Sequence, residues 1–205
     1  TSGQASWMIV DLLQHAPWHT RTRDEVDAAC VRGAAIGLDT LARLPLLQAA
    51  MRESERMHPV TDMLLRGVVE DIAVNGYTVP AGWMALVSPP VAHRLPELFR
   101  EPDAYDPGRF GPERNEAAQH RYSVITFGGG VHKCTGMNFA YNEMMMVAAL
   151  LLQQFDLELL STNVRSQHGI GASRPTPAHI RYRRRKESHS AVPAQGSAGG
   201  CPRHA

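Results

Sequence analysis

The segment Phe127-Gly-Gly-Gly-Val-His-Lys-Cys-Thr-Gly136 is the most informative part of the sequence, and it leads into an apolar stretch over 137–155 that predicts a long central helix. Its four glycines leave no side chain where backbone must approach a partner closely. Amides freed by such a turn can hydrogen-bond to sulfur, and the positive end of the following helix favours a thiolate. The pattern therefore predicts Cys134 as a thiolate ligand of a large planar cofactor.

Other interpretations of this loop fit its residues less well. A phosphate-binding loop needs glycine directly before lysine and then serine or threonine, whereas His132 precedes Lys133 and Cys134 follows it. A zinc site needs more Cys or His at close spacing than His132 and Cys134 provide. A buried structural cysteine beside a glycine-rich turn is the simplest alternative to a thiolate ligand.

The composition bounds the class of protein. The chain has 205 residues, 43% of them apolar and 20% charged, which is enough for one sizeable core or two small ones. A net charge of +1 gives no reason to expect nucleic acid or an anionic membrane as partner. No apolar run has the length of a membrane span. Cys30, Cys134 and Cys201 lack paired spacing, which favours a reducing compartment and predicts a cytoplasmic protein.

Hydrophobic periodicity predicts three helices in the first part of the chain. They cover 5–15, 20–32 and Pro45–Met57. Pro17 is expected to end the first helix because it has no N–H to donate, and His58-Pro59 is expected to stop the third.

The middle of the chain has β-prone runs separated by turn residues. Asn75-Gly76 predicts a tight hairpin over 71–79, and the proline- and charge-rich segment 89–119 predicts an irregular meander with short helices. The remaining strand candidates are 83–88, 155–160 and 179–182. The expected fold class is therefore mainly α with a minor β-sheet (α+β).

The ends of the chain lead to two further expectations. The first residues show neither an initiator Met nor a signal pattern, so we expect a piece of a longer protein. Residues 186–205 are rich in Ser, Gly, Ala and Pro, which predicts a disordered tail after a single domain over 1–185.

The cysteine loop resembles the haem-binding signature of the cytochrome P-450 family. Phe127, Gly130, His132, Cys134 and Gly136 occur in that family's order and spacing. The resemblance implies that Cys134 is the axial ligand of haem b, that His132 contacts a haem propionate and that Phe127 shields the sulfur. It also implies the C-terminal, haem-side portion of a cytochrome P-450 fold, truncated at its N-terminus.

Two further segments extend the resemblance. Glu53 and Arg56 lie three apart on one helix face, and alone such a pair is more often an exposed salt bridge. The family carries the same Glu-x-x-Arg pair on its helix K. The segment Tyr105–Phe110 is similar to the family's Pro-x-Arg-Phe segment, although Gly108 replaces the commoner Glu. The resemblance implies that Arg109 completes a structural Glu-Arg-Arg network that braces the meander.

The resemblance also implies residues around the pocket. Arg66 would reach a haem propionate, and Met63 and Leu64 would face substrate. Ile170, at the tip of the last hairpin, would also lie on the substrate side. The alternatives are an ordinary core position for Met63 and Leu64 and a solvated charge for Arg66.

The first residues resemble the second half of the family's oxygen-activating helix I. An acid-alcohol pair on that helix delivers protons, and such a relay depends on position before pKa. Thr1 and Ser2 are the candidates for the catalytic alcohol, although the usual threonine falls one residue before Thr1.

The resemblance implies a monooxygenase that inserts one oxygen atom from dioxygen into an apolar organic substrate. Electrons would come from a ferredoxin- or flavin-type partner. Within the family the sequence is most similar to sterol 14α-demethylases and their bacterial relatives, at 2–7, 137–141 and 180–185, while 142–146 departs from them. A sterol or other terpenoid is therefore the expected substrate. The alternatives are a haem-binding sensor or carrier of the same fold and an inactive fragment.

Overall fold

The computed structural model describes residues 1–169 and 172–186. Within them the α-helices are α1 (Ser2–Gln14), α2 (Ala16–Ala29), α3 (Leu38–Leu41), α4 (Pro45–Met57), α5 (Pro89–Ala92) and α6 (Met137–Gln154). The strands are β1 (Leu64–Gly67), β2 (Ile72–Val74), β3 (Tyr77–Val79), β4 (Met84–Val87), β5 (Phe155–Leu159), β6 (Ser166–His168), β7 (Ser173–Pro175) and β8 (Ile180–Arg184). Short 3-10 turns lie at Pro107–Phe110, Glu116–Ala118 and Gly130–His132. The mainly helical class with minor β structure is confirmed.

The boundary between α1 and α2 differs from the prediction. The first helix ends at Gln14, before Pro17, and the second begins at Ala16 with Pro17 in its first turn. Proline suits that turn because N–H groups there have no intrahelical acceptor. The prediction that Pro17 ends the first helix and that the second begins near residue 20 was therefore wrong.

The core lies where α1, α4 and α6 meet. The last of these also contacts α2 and α3, which explains why its sequence is apolar on most faces. The side chains that meet there are Met8 and Leu12 from α1, Leu47 and Met51 from α4, and Met144, Ala148 and Leu152 from α6. Each large apolar side chain buried in this way contributes about 1.5–3 kcal/mol. No helix of the described chain is long and apolar enough to cross a membrane.

The strands form antiparallel pairs. The predicted hairpin at 71–79 is present as β2–β3, with Asn75 at φ +49° and Gly76 at φ +82°, as a tight primed turn requires. The two late strand candidates pair as β5–β8. The sequence analysis missed β1, which pairs with β4, and the short polar strands of β6–β7.

Some predictions fall on residues that the structure does not describe. Ile170 lies outside the described residues, and so do 187–205 of the predicted tail. The single domain over 1–185, the disordered tail and the substrate-side position of Ile170 stay predictions.

Candidate functional site

The loop that carries Cys134 is held by its own backbone. The Cys134 N–H donates to the Phe127 carbonyl oxygen at 2.8 Å, and the Gly128 N–H donates to the Ile125 carbonyl oxygen at 2.8 Å. The Cys134 thiol is free and exposed, and α6 begins three residues later. A cysteine so placed presents its sulfur to solvent near the positive end of a helix. The alternative of a buried structural cysteine is therefore wrong.

Two glycines of this loop are required by its conformation. Gly128 has φ +74°, and a Cβ there would lie 3.0 Å from the carbonyl oxygen of His132. Gly130 has φ +59° with open space around it. Both adopt a left-handed backbone that L side chains rarely take.

Gly136 has no comparable constraint. Its φ is −84°, and a Cβ there would meet the Cys134 Sγ at an ordinary 3.8 Å. The close approach predicted for Gly136 is not seen within the described chain.

Arg66 and the cysteine loop lie side by side. The guanidinium Nη2 of Arg66, on β1, would stand 3.9 Å from a Cβ on Gly128. Its Nη1 donates to the adjacent Leu65 carbonyl oxygen at 2.7 Å, and no carboxylate of the described residues forms a salt bridge with it. His132, in the loop itself, is exposed. Within the described residues, a guanidinium without a carboxylate partner and an exposed imidazole at the same loop suit an anionic group.

The predicted substrate-side residues lie on the same strand as Arg66 or next to it. Met63 is 58% exposed, so ordinary core packing does not explain it. Leu64 is half-buried and pairs with Val87 of β4. Their contact with a substrate stays a prediction.

Thr1 and Ser2 lie at the start of α1. Thr1 is its N-cap and makes no side-chain capping hydrogen bond, and both residues are exposed. The Ser2 carbonyl oxygen accepts a hydrogen bond from Ser6 Oγ at 2.9 Å. Among the described residues no hydrogen bond joins either side chain to the cysteine loop, so their catalytic role stays a prediction.

Glu53, Arg56 and Arg109 form one buried network. The Arg56 guanidinium donates to Glu53 Oε2 at 2.8 Å and to Oε1 at 2.9 Å. Arg109, in the 3-10 turn Pro107–Phe110, donates from Nε to Glu53 Oε1 at 2.9 Å. The Glu53 and Arg56 side chains have no exposed surface, so their interpretation as an exposed salt bridge is wrong.

The network extends into the backbone of the meander. The Arg56 Nη1 donates to the carbonyl oxygens of His93 at 2.8 Å and Pro102 at 2.7 Å. The Arg109 guanidinium donates to the carbonyl oxygens of Arg100 at 2.8 Å and Ala104 at 3.0 Å. Because buried charges need partners, these bonds hold the meander against α4.

Glu116 is a member of this network that the sequence analysis missed. Its Oε2 accepts from Arg109 Nη1 at 2.8 Å, and its Oε1 accepts from Arg114. Partial burial alone would raise the pKa of Glu116, but the hydrogen bonds from Arg114 and Arg109 outweigh it and lower that pKa. The charges in the network thus balance, because it contains two acidic and two basic side chains: Glu53, Glu116, Arg56 and Arg109. The sequence after Arg109 is rich in charge, but nothing in it singles out Glu116.

A second polar cluster, also missed, lies behind the loop. The Tyr141 hydroxyl of α6 donates to Glu55 Oε2 at 2.8 Å and accepts from Arg52 Nη1 at 3.0 Å. Burial raises the pKa of Glu55. The Tyr141 ring also meets the Phe127 ring edge-on, with 5.2 Å between centroids. Helix α4 therefore contacts the base of the cysteine loop through α6.

Comparison with known proteins agrees with this arrangement. An exposed thiol on a glycine loop ahead of an apolar helix, together with a buried Glu-Arg-Arg network, is the arrangement that the resemblance to the cytochrome P-450 family implied. The family model described as cytochrome P-450 matches residues 1–179. The chain belongs to the cytochrome P-450 family.

Individual relatives within the family are similar to this chain over most of its length. The "Sterol 14alpha-demethylase" of Mycolicibacterium vanbaalenii is 32% identical over 190 residues, which cover 90% of this chain and 42% of that protein. The "Sterol 14-demethylase" of Arabidopsis thaliana is 35% identical over 164 residues, covering 77% of this chain and 34% of that protein. The chain thus spans less than half the length of these relatives.

A solved structure shows the same fold. The crystal structure titled "cytochrome P450DA heme domain" superposes with a TM-score of 0.84 at 25% identity, over 91% of this chain and 41% of that one. The predicted resemblance to the cytochrome P-450 fold is therefore confirmed.

Proposed function

We propose that the protein containing this chain is a haem-thiolate monooxygenase with Cys134 as the axial ligand of a haem b iron. The observation that carries the proposal is the exposed Cys134 thiol near the N-terminal end of α6, on a loop beside Arg66. A thiolate there is favoured by the helix dipole, and in this proposal Phe127 shields the sulfur.

The residues around the loop fit a flat, apolar cofactor with acidic substituents. Arg66 and His132 are the cations available to hold propionates, and Arg66 has no carboxylate partner among the described residues. Side chains alternate along a strand, so Leu64 and its partner Val87 lie on the same face of the adjoining β1–β4 pair as Arg66, and Val87 is exposed. These side chains offer an apolar surface that a large ring can cover.

The chain's own residues have separate tasks in this proposal. Bound haem supplies the activation of dioxygen, and a thiolate ligand favours cleavage of the oxygen–oxygen bond. Cys134 provides that thiolate. The Glu53–Arg56–Arg109 network keeps the loop and the meander in place, and Met63 and Leu64 face the substrate.

The expected substrate is a sterol or other terpenoid. The two relatives named as sterol demethylases support this choice. The exposed Met63 and the half-buried Leu64 give an apolar lining rather than a charged one. Electrons are supplied by a ferredoxin- or flavin-type partner.

The test uses the complete protein, produced from its full coding sequence. Reduced under carbon monoxide, it should show the red-shifted Soret band of thiolate-ligated haem. Cys134→His should abolish that band, whereas Cys30→Ala, at a buried cysteine of the helical core, should keep it. A band that survives in Cys134→His contradicts the ligand assignment.

Turnover separates the enzyme from a haem carrier. With electrons supplied, a sterol should be converted to an oxygenated product that contains one atom from labelled dioxygen. A normal Soret band without any oxygenated product, across sterol and terpenoid substrates, would instead identify a haem-binding sensor or carrier.

A further inference from the structure

His93 is completely buried although it carries two polar ring nitrogens. It follows α5 directly, and its side chain has no exposed surface. Its Nδ1 lies 3.2 Å from the Arg56 carbonyl oxygen, and its Nε2 lies 2.9 Å from the Ile125 backbone nitrogen. The ring therefore bridges α4 and the start of the cysteine loop.

The two partners determine where the ring proton lies. The Ile125 N–H can only donate, so Nε2 is the unprotonated acceptor. The Arg56 carbonyl can only accept, so Nδ1 carries the proton and donates it. Burial, and after it the neighbouring arginines, lower the pKa of His93 to about 4, which keeps the ring neutral at physiological pH. Both nitrogens are satisfied in this one tautomer.

The Arg56 carbonyl needs such a donor. It is one of the last carbonyls of α4, which ends at Met57 and leaves its final carbonyls without intrahelical donors. The Arg56 guanidinium in turn donates to the His93 carbonyl oxygen at 2.8 Å. Two hydrogen bonds thus join His93 to Arg56 of the buried network.

The Nε2 atom of His93 is connected through Ile125 to the turn that carries Cys134. The Ile125 carbonyl oxygen accepts the Gly128 N–H at 2.8 Å, and the Cys134 N–H returns to the Phe127 carbonyl oxygen at 2.8 Å. A continuous set of short contacts therefore runs from Arg56 through the His93 ring to the turn that holds Cys134.

We propose that His93 is a positioning residue for the thiolate, which couples the position of the buried Glu-Arg-Arg network to the cysteine loop. This inference rests on the proposed role of Cys134 as haem ligand. An apolar side chain in the same space would fill the core but leave the Ile125 N–H without an acceptor, which frees the loop to move relative to α4. Loss of the bond at Nε2 should therefore loosen the iron–sulfur bond before it unfolds the protein.

Two conservative variants separate the two ring nitrogens. In His93→Gln the amide oxygen reaches the position of Nε2 and can still accept from Ile125. In His93→Asn the shorter amide reaches only the position of Nδ1, so the link to Arg56 survives and the link to the loop is lost. His93→Leu removes both links.

The experiment follows the thiolate Soret band of the complete, haem-loaded protein, reduced under carbon monoxide, as it decays to the band of the neutral thiol. His93→Asn and His93→Leu should decay about tenfold faster than the parent, the factor expected for one lost hydrogen bond. His93→Gln should stay within about twofold of the parent. Leu47→Ala, a core substitution in α4, controls for general destabilisation and should lower the melting temperature without faster decay.

The outcomes separate this inference from the proposed function. A parent protein without any thiolate band overturns the proposed function, and the inference with it. A normal parent band with equal decay in His93→Gln and His93→Asn overturns only the role of His93. Decay that simply follows melting temperature across the series, Leu47→Ala included, also overturns it. If His93→Leu does not fold, the Gln and Asn variants decide the question.

Discussion

The network beneath the cysteine loop and the β1–β4 pair beside it reverse the usual distribution of side chains. In the network four charged residues are buried, while β1–β4 exposes apolar residues such as Met84 and Leu86. The charges are tolerated because every one has partners of opposite charge or backbone carbonyls. The exposed apolar strands form a surface that a cofactor, a substrate or another part of the protein can cover. In the proposed function, the network serves stability and the β1–β4 pair serves binding.

The largest effect is expected where a buried charge loses its partner. Glu53→Ala leaves the guanidinium groups of Arg56 and Arg109 facing each other in the core, and should lower the free energy of unfolding by about 3–5 kcal/mol. Urea denaturation and haem content of the complete protein measure it. Glu158→Ala, in the exposed pair with Arg181, is the matched control and should cost under about 1 kcal/mol. Similar costs for the two variants would mean that the network is not a stabilising core.

The next effect is a dependence of stability on pH. Because the folded pKa of His93, about 4, lies below its ordinary value of 6.5, the neutral ring is favoured by folding. Its contribution is fully present above pH 6.5 and is lost as pH falls from 6.5 towards 4. A shift of this size corresponds to about 3 kcal/mol.

Comparison with His93→Gln separates the titration of His93 from the titration of the carboxyl groups that both proteins share. The difference in free energy of unfolding between parent and variant, measured by urea denaturation, should shrink as pH falls through that window. A difference that stays constant between pH 7 and pH 4 would contradict the neutral, buried histidine.

A smaller effect distinguishes two glycines of the cysteine loop. Gly128→Ala combines a left-handed φ with a Cβ 3.0 Å from the His132 carbonyl oxygen, and should cost about 2–3 kcal/mol. Gly130→Ala has the same handedness but open space, and should cost about 1–2 kcal/mol. Thermal unfolding of both variants should show the larger loss of stability for Gly128→Ala. A larger loss for Gly130→Ala would contradict the loop geometry.

The smallest effect on folding is expected for Arg66. Its guanidinium bonds only to an adjacent carbonyl among the described residues, so Arg66→Ala should change the free energy of unfolding by less than about 0.5 kcal/mol. The same variant of the complete protein should lose haem to an apo-protein acceptor about tenfold faster, because a charged hydrogen bond is lost. Unchanged haem loss would remove Arg66 from the binding region.

Some of the buried and site residues could be predicted from the sequence, and others could not. Glu53, Arg56 and Cys134 were recognised because their spacing matches a family motif. Glu116 and His93 were missed because nothing local marks them: Glu116 is one of many charges in the meander, and His93 is a single histidine after a short helix. Their importance comes from partners far along the chain, Glu116 through Arg109 and His93 through Ile125.

Sequence reasoning alone was enough to predict the class of fold, the long helix α6, the Asn75-Gly76 hairpin and the candidate ligand Cys134. These features are local, because periodicity, turn residues and a contiguous motif act over a few residues. Three other features became visible in the folded chain: Glu53 is buried, Arg66 lies beside the cysteine loop and β1 pairs with β4. Burial and long-range pairing depend on which elements pack together, and the energies that select such packing are not encoded in any single segment.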